Sequence, residues 1–180
     1  MSTRDLAWVL VSLVVGGCAG TTTVETPNLG QPVTAAQIAG WDISVPPDGV
    51  GLPPGRGTAA QGAPVYEAKC QACHGTKGAG QPNDRLVGGH GTLASQAPVR
   101  TVGSYWPYAT TVFDYVRRAM PYQQPQSLTD NEVYAVVAYL LQLNGIIGET
   151  DEMNAQTLPK VKMPNRDNFI LAYPTKPPAR

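Results

Sequence analysis

The chain is short of the groups from which most polar active sites are built. Its 180 residues include three cysteines and two histidines, and Cys18 lies in the N-terminal targeting region, which leaves Cys70 and Cys73 in the body of the chain. Two thiols exclude a disulfide framework, and with His74 they fall short of a structural zinc site unless His90 joins them. Charge of one sign is missing as well. Thirteen basic residues balance thirteen acidic ones, so no global field points to nucleic acid as a partner. The N-terminal apolar run Leu6–Val15 is too short to cross a bilayer as a stable helix. By contrast, glycine (19) and proline (17) are abundant, which predicts long connections with little regular structure around one compact domain.

Residues 1–18 read as an export segment, with Arg4, the apolar run, and the small pair Gly16 and Gly17 ahead of Cys18. Val15-Gly16-Gly17-Cys18 resembles the lipobox of bacterial lipoproteins, in which the cysteine becomes a lipidated N-terminus; a lipidated Cys18 would give membrane contact. The competing reading is cleavage after Ala19, which releases a soluble protein. Both place the mature chain in the periplasm. Residues 19–57 form a Pro/Gly-rich extended arm, residues 58–148 a helical domain and residues 149–180 an extended, basic tail. In the arm, Ile38, Trp41, Ile43, Val45 and Val50 are too many apolar groups for a solvated linker, so part of it lies on a surface, of its own domain or of a partner.

Three helices are predicted in the domain. The first starts at Thr58, capped with Gln61, and leads to Cys70; Pro64 either kinks it or moves its start toward residue 63. The second runs from about Thr110 to Ala119 and is stopped by Pro121, which leaves Met120 at a helix end. The third has Thr129 and Glu132 as a capping box, Leu128 placed to staple onto Val133, and Asn144-Gly145 as its stop. Val133, Val136, Val137, Leu140 and Leu141 give it one apolar stripe.

Cys70-Gln71-Ala72-Cys73-His74 is the attachment signature of c-type haem. Two thiols three residues apart can each add to one vinyl group, and the next residue then aims its imidazole at the iron as proximal ligand. A thioredoxin-like redox pair also uses Cys-x-x-Cys, but it follows a strand at a helix start, whereas this motif ends a helical segment. A low-spin carrier needs a sixth ligand. Met120 is the leading candidate, His90 its rival, and Met153 and Met163 fit core filling or a partner contact.

Around the motif, Gly75, Gly78 and Gly80 let the backbone pass close to the cofactor, and Leu86 is placed to pack on it. The His74 Nδ1–H is expected to donate to a carbonyl near residues 82–86. Arg85, Arg100, Tyr105 and Trp106 are eligible donors to the propionates, with core packing as the plainer reading of the aromatics. Arg117 and Arg118 are expected to be solvated, where they could steer an acidic partner. Folding is expected to require the covalent haem, because the helices would enclose it rather than one another.

These residues together resemble class I cytochrome c across residues 58–148, through the helix entering Cys70-x-x-Cys73-His74-Gly75, the Met120-Pro121 loop and the closing amphipathic helix. That resemblance implies an all-α fold of three to five helices around one covalent haem, with extended N- and C-terminal arms. Gly51-Leu52-Pro53-Pro54-Gly55, the stretch from Thr101 to Thr110, Arg118-Ala119-Met120-Pro121, Gln126-Ser127-Leu128-Thr129-Asp130 and the stretch from Leu158 to Arg166 look more narrowly like the cytochrome subunit of bacterial sulfite or sulfane dehydrogenases of the sulfur-oxidation type. The second resemblance implies axial His74 and Met120, a molybdenum-cofactor dehydrogenase subunit as electron donor, an external cytochrome c as acceptor, and arms that help hold the partner. A single Cys-x-x-Cys-His rules out the two-haem relay of some members, and Arg85 stands where many class I cytochromes have proline. Two other functions remain open: a free-standing or lipid-anchored periplasmic electron shuttle, and a peroxidase-like enzyme with an open sixth position.

Overall fold

A computed structural model describes residues 29–170 and residue 172. The export segment and Cys18 lie outside the described residues. The chain divides into two compact units, Met1–Ile38 and Ala39–Arg180. In the first, Thr34 and Gln37 cap one another ahead of a short exposed helix, α1 (Ala35–Ala39).

The second unit carries the helices that the sequence predicts. α2 (Ala59–Lys69) has the Thr58/Gln61 capping box, and α3 (Gln71–His74) follows it with Cys70 as the joint. α4 spans Ala109–Ala119 with Met120 as its C-cap residue, and α5 spans Asp130–Leu143 behind the Thr129/Glu132 capping box. Pro64 lies inside α2 without moving its start to residue 63. Pro64 and Ala60 are both exposed, so the carbonyl that lacks a donor falls on the solvent side, where water can satisfy it.

α5 is the centre of the unit rather than a helix with one buried face. Val133, Tyr134, Ala135, Val136, Val137, Ala138, Leu140 and Leu141 are all buried, because α2 and α4 both pack on α5. Small residues let the backbones approach: a Cβ on Gly57 or Gly62 would overlap the backbone of Ala135. On another side Phe113 of α4 meets Tyr134 at 4.5 Å between ring centroids. The helices therefore enclose one another, contrary to the expectation that they would surround only a cofactor.

The unit also has a small sheet that the all-α expectation did not include. β1 (Arg56–Thr58) pairs antiparallel with β2 (Glu152–Asn154), in the register Arg56↔Asn154, Gly57↔Met153, Thr58↔Glu152. Three-residue strands carry no readable alternation, and only their pairing defines them. This ribbon docks the chain after α5 onto the helices: Met153, Leu158 and Met163 are buried in the core. Residues 151–170 hold little helix, as their prolines imply, but they are not a free tail. The two methionines fill core, one of the roles expected for them.

The arm is split in the same way. Val45 is buried in the core, whereas Trp41 is 88% and Val50 68% exposed. Three hydrogen bonds hold residues 43–47 against α4: Val45 N–H to Asp114 Oδ1 (2.8 Å), Thr110 Oγ1 to the Pro47 carbonyl (3.0 Å) and Arg117 Nη1 to the Ile43 carbonyl (3.3 Å).

Candidate haem site

The last turn of α2 delivers Cys70, whose N–H donates to the Tyr66 carbonyl at 2.9 Å. α3 then carries Cys73 and His74, and Gly75 turns the chain at a φ of +74°. A side chain there would strike the Gly80 carbonyl, so glycine is needed both for the backbone angle and for the space. The chain folds back on the motif: Gly80 N–H donates to the His74 carbonyl and Asn83 N–H to the Cys73 carbonyl, each at 2.8 Å. From below, the Tyr66 hydroxyl donates to the Gly75 carbonyl at 2.9 Å.

His74 Nδ1 lies 2.8 Å from the Asp84 carbonyl, within the span expected for it. A carbonyl can only accept, so Nδ1 carries the proton, and in the neutral imidazole Nε2 is then the ring nitrogen with a lone pair for a metal. Arg85, the residue that departs from the proline of many relatives, does not disturb this contact. Its Nε donates to the Ala79 carbonyl at 3.1 Å and braces the same loop.

A cavity of about 900 Å³ brings together Cys70, Cys73, His74, Met120, Arg85, Leu86, Arg100 and Trp106. Val112 and Val116 of α4 and Val136 and Leu140 of α5 also line it. Sequence periodicity marks these four as apolar faces but does not say that they face a cavity rather than a neighbouring helix. Tyr115, which no sequence pattern singled out, lines it too and packs edge-on against Trp106 at 5.8 Å.

Tyr105 is not brought to this cavity. Its ring packs on Phe169 at 5.4 Å and Asn165 donates to its carbonyl at 2.9 Å, so the chain after β2 draws it to a separate cleft of about 690 Å³. His90 lines that cleft and not the cavity of the two thiols and His74, and among the described residues it forms no metal-holding cluster with them. Arg118 is exposed, as expected for a solvated charge, and pairs with Asp114 one turn earlier on its own helix. Arg117 differs: it is half-buried, because the arm offers it the Ile43 carbonyl and α5 offers it Asp130 at 3.3 Å.

The donor set fits a covalently held haem. Two free thiols, an imidazole with a free Nε2 and a thioether share one largely apolar cavity, of the size that cofactor sites occupy. A redox dithiol fits less well. Burial, followed by the neighbouring Cys73, pushes the Cys70 thiol up to about 11, whereas reactive Cys-x-x-Cys pairs depend on a depressed value. Among the described residues no cluster of three or more His, Cys, Asp and Glu side chains is arranged to hold a metal ion, and no helix is long and apolar enough to cross a membrane.

Residues 57–140 match the family described as cytochrome c oxidase, cbb3-type, subunit III. A crystal structure of the sulfane dehydrogenase SoxCD from Paracoccus pantotrophus contains a similar chain, with 38% sequence identity and a TM-score of 0.76, covering 83% of this chain and 73% of that one. No curated protein sequence matches.

Proposed function

This chain belongs to the cytochrome c family, in the branch represented by the matched chain of sulfane dehydrogenase, and on that premise we propose that it is the haem c electron-transfer subunit of a periplasmic sulfite or sulfane dehydrogenase. Cys70 and Cys73 would hold one haem through thioether bonds, and His74 Nε2 and the Met120 sulfur would ligate its iron. The bound group supplies reversible one-electron iron chemistry. A molybdenum-cofactor subunit gives the electrons and an external cytochrome c receives them one at a time; the chain itself breaks no bond in the sulfur compound.

The observation that carries this reading is the meeting of Cys70, Cys73, His74 and Met120 in one cavity. Leu86, Val112, Val116 and Trp106 give the cavity apolar wall, which limits the charge reorganisation that each electron transfer demands. Asp84 holds the imidazole plane through Nδ1, and Met120, at the end of α4, is backed by Pro121. Methionine sulfur favours the ferrous state, which suits an acceptor of electrons. A methionine on the cavity wall supports a closed sixth position over a peroxidase-like open one.

The test is purification from the native host. Co-elution with a molybdenum protein that reduces this haem when sulfite or a sulfane sulfur compound is added is the expected result. A solitary haem protein indifferent to both compounds would remove the dehydrogenase assignment, and rapid peroxide turnover without a sulfur-to-iron charge-transfer band would remove Met120 as ligand. Mass spectrometry of the mature N-terminus distinguishes a lipidated Cys18 from cleavage after Ala19.

A further inference from the structure

The loop that presents the Asp84 carbonyl to His74 has almost no secondary structure of its own: one 3-10 turn, Thr76–Gly78, is its only helical element before α4. A carbonyl on such a loop needs an external brace to hold a fixed distance. Arg85 braces the loop from within and Thr101 Oγ1 donates to the Gly88 carbonyl at 2.6 Å; the brace that ties it to α5 is Asn144, a residue that the sequence shows only as a helix stop. Its backbone ends α5, and its side chain is 7% exposed. Nδ2 donates to the Leu86 carbonyl at 3.2 Å and to the Leu140 carbonyl at 2.8 Å, while Oδ1 accepts from Gly88 N–H at 3.0 Å. Both amide hydrogens and one oxygen lone pair are therefore used, and the two contacts with the loop fall two and four residues beyond Asp84. Gly103 closes the other side: a Cβ there would come within 2.6 Å of Asn144 Cγ.

We propose that Asn144 is a positioning residue for the proximal histidine: by tying Leu86 and Gly88 to the end of α5, it sets the strength of the His74 Nδ1–H···O=C Asp84 hydrogen bond and so tunes the redox centre. The inference rests on His74 being the axial ligand. A firm Nδ1–H bond makes Nε2 a stronger donor and favours ferric iron, so loosening the brace raises the midpoint potential. The Leu86 carbonyl keeps the Val102 N–H as a second donor at 3.2 Å, and the loop loosens rather than detaches.

The experiment is a redox titration of the holoprotein as wild type, Asn144→Leu, Gly103→Ala and the control Leu158→Ala, a buried core residue with no hydrogen bond to this loop. Both loop-side variants should shift the potential upward and speed solvent exchange of the His74 Nδ1 proton, and the control should do neither. An unchanged potential in Asn144→Leu and Gly103→Ala overturns the proposal while leaving the haem assignment standing; a native chain without covalent haem overturns both. If neither variant folds, exchange in the wild type decides: the Asn144 side-chain amide and His74 Nδ1 protons should exchange at one common rate. Free exchange at His74 beside a protected Asn144 amide would defeat the idea.

Discussion

The backbone N–H of Val45 donates to the buried carboxylate of Asp114 at 2.8 Å. Asp114, 9% exposed, also takes Arg118 from the next turn of α4. One carboxylate thus joins the arm to the helix that ends at Met120. Asp114→Ala leaves the Val45 donor without a partner and should cost about 2 kcal/mol, the usual range for a hydrogen bond to a charged group. Chemical denaturation should show this loss together with new protease cleavage between residues 39 and 47, whereas Asp114→Asn, which keeps an acceptor, should be milder.

Gly62 is where helix propensity and packing oppose one another. Alanine in a helix gains about 1 kcal/mol over glycine. Here the added Cβ would overlap the Ala135 carbonyl, a backbone atom that cannot rotate away, and overpacking costs about 1–3 kcal/mol or more. Gly62→Ala should therefore lower the melting temperature, and a rise would show that α2 and α5 can separate freely.

Leu158 is fully buried although it follows the last long helix. Leu158→Ala should cost roughly 2–5 kcal/mol, as large-to-small changes in a core do. Urea unfolding provides the measurement. A change near zero would mean that the chain after β2 is an accessory to the fold.

Burial pushes the phenols of Tyr66 and Tyr134 up from 10.0 to about 12. The folded state thus favours the neutral phenol, so this stability is intact below pH 10 and disappears as pH rises from 10 through 12. Each tyrosine contributes roughly 2–3 kcal/mol to that loss. Stability measured at pH 8, 10 and 12 should fall over the upper interval, and Tyr66→Phe should fall less steeply than the wild type.

On the proposed attachment, Cys73→Ala would remove one thioether link and should yield a chain that loses haem and most of its helical signal. The reason is the cavity, not an absence of helix contacts. Without the cofactor, the apolar side chains that line the cavity, Leu86, Val112, Val116, Val136 and Leu140 among them, face water, and each such side chain left unburied forfeits about 1.5–3 kcal/mol. Several of them together rival a net stability of about 5–15 kcal/mol. A well-folded colourless Cys73→Ala protein would refute this.

Local chemistry made much of the site legible in advance. Cys70, Cys73 and His74 are adjacent, so their spacing alone carries their meaning, and Met120 was marked by a helix stop one residue before proline. The capping boxes at Thr58 and Thr129 were readable for the same reason: each closes within four residues. What depended on contacts between distant segments was hidden. Nothing near Tyr105 says that Phe169 and Asn165 will draw it to another cleft, nothing near Arg117 announces Asp130, and the three-residue strands exist only because Gly57 meets Met153. The sequence by itself determined the Cys-x-x-Cys-His arrangement and the helices, because those follow from neighbours along the chain. The tertiary structure alone decided that α5 is central, that Val45, Met153 and Leu158 belong to the core, and that Asn144 braces the loop beside His74, because burial and long-range hydrogen bonds depend on which segments meet.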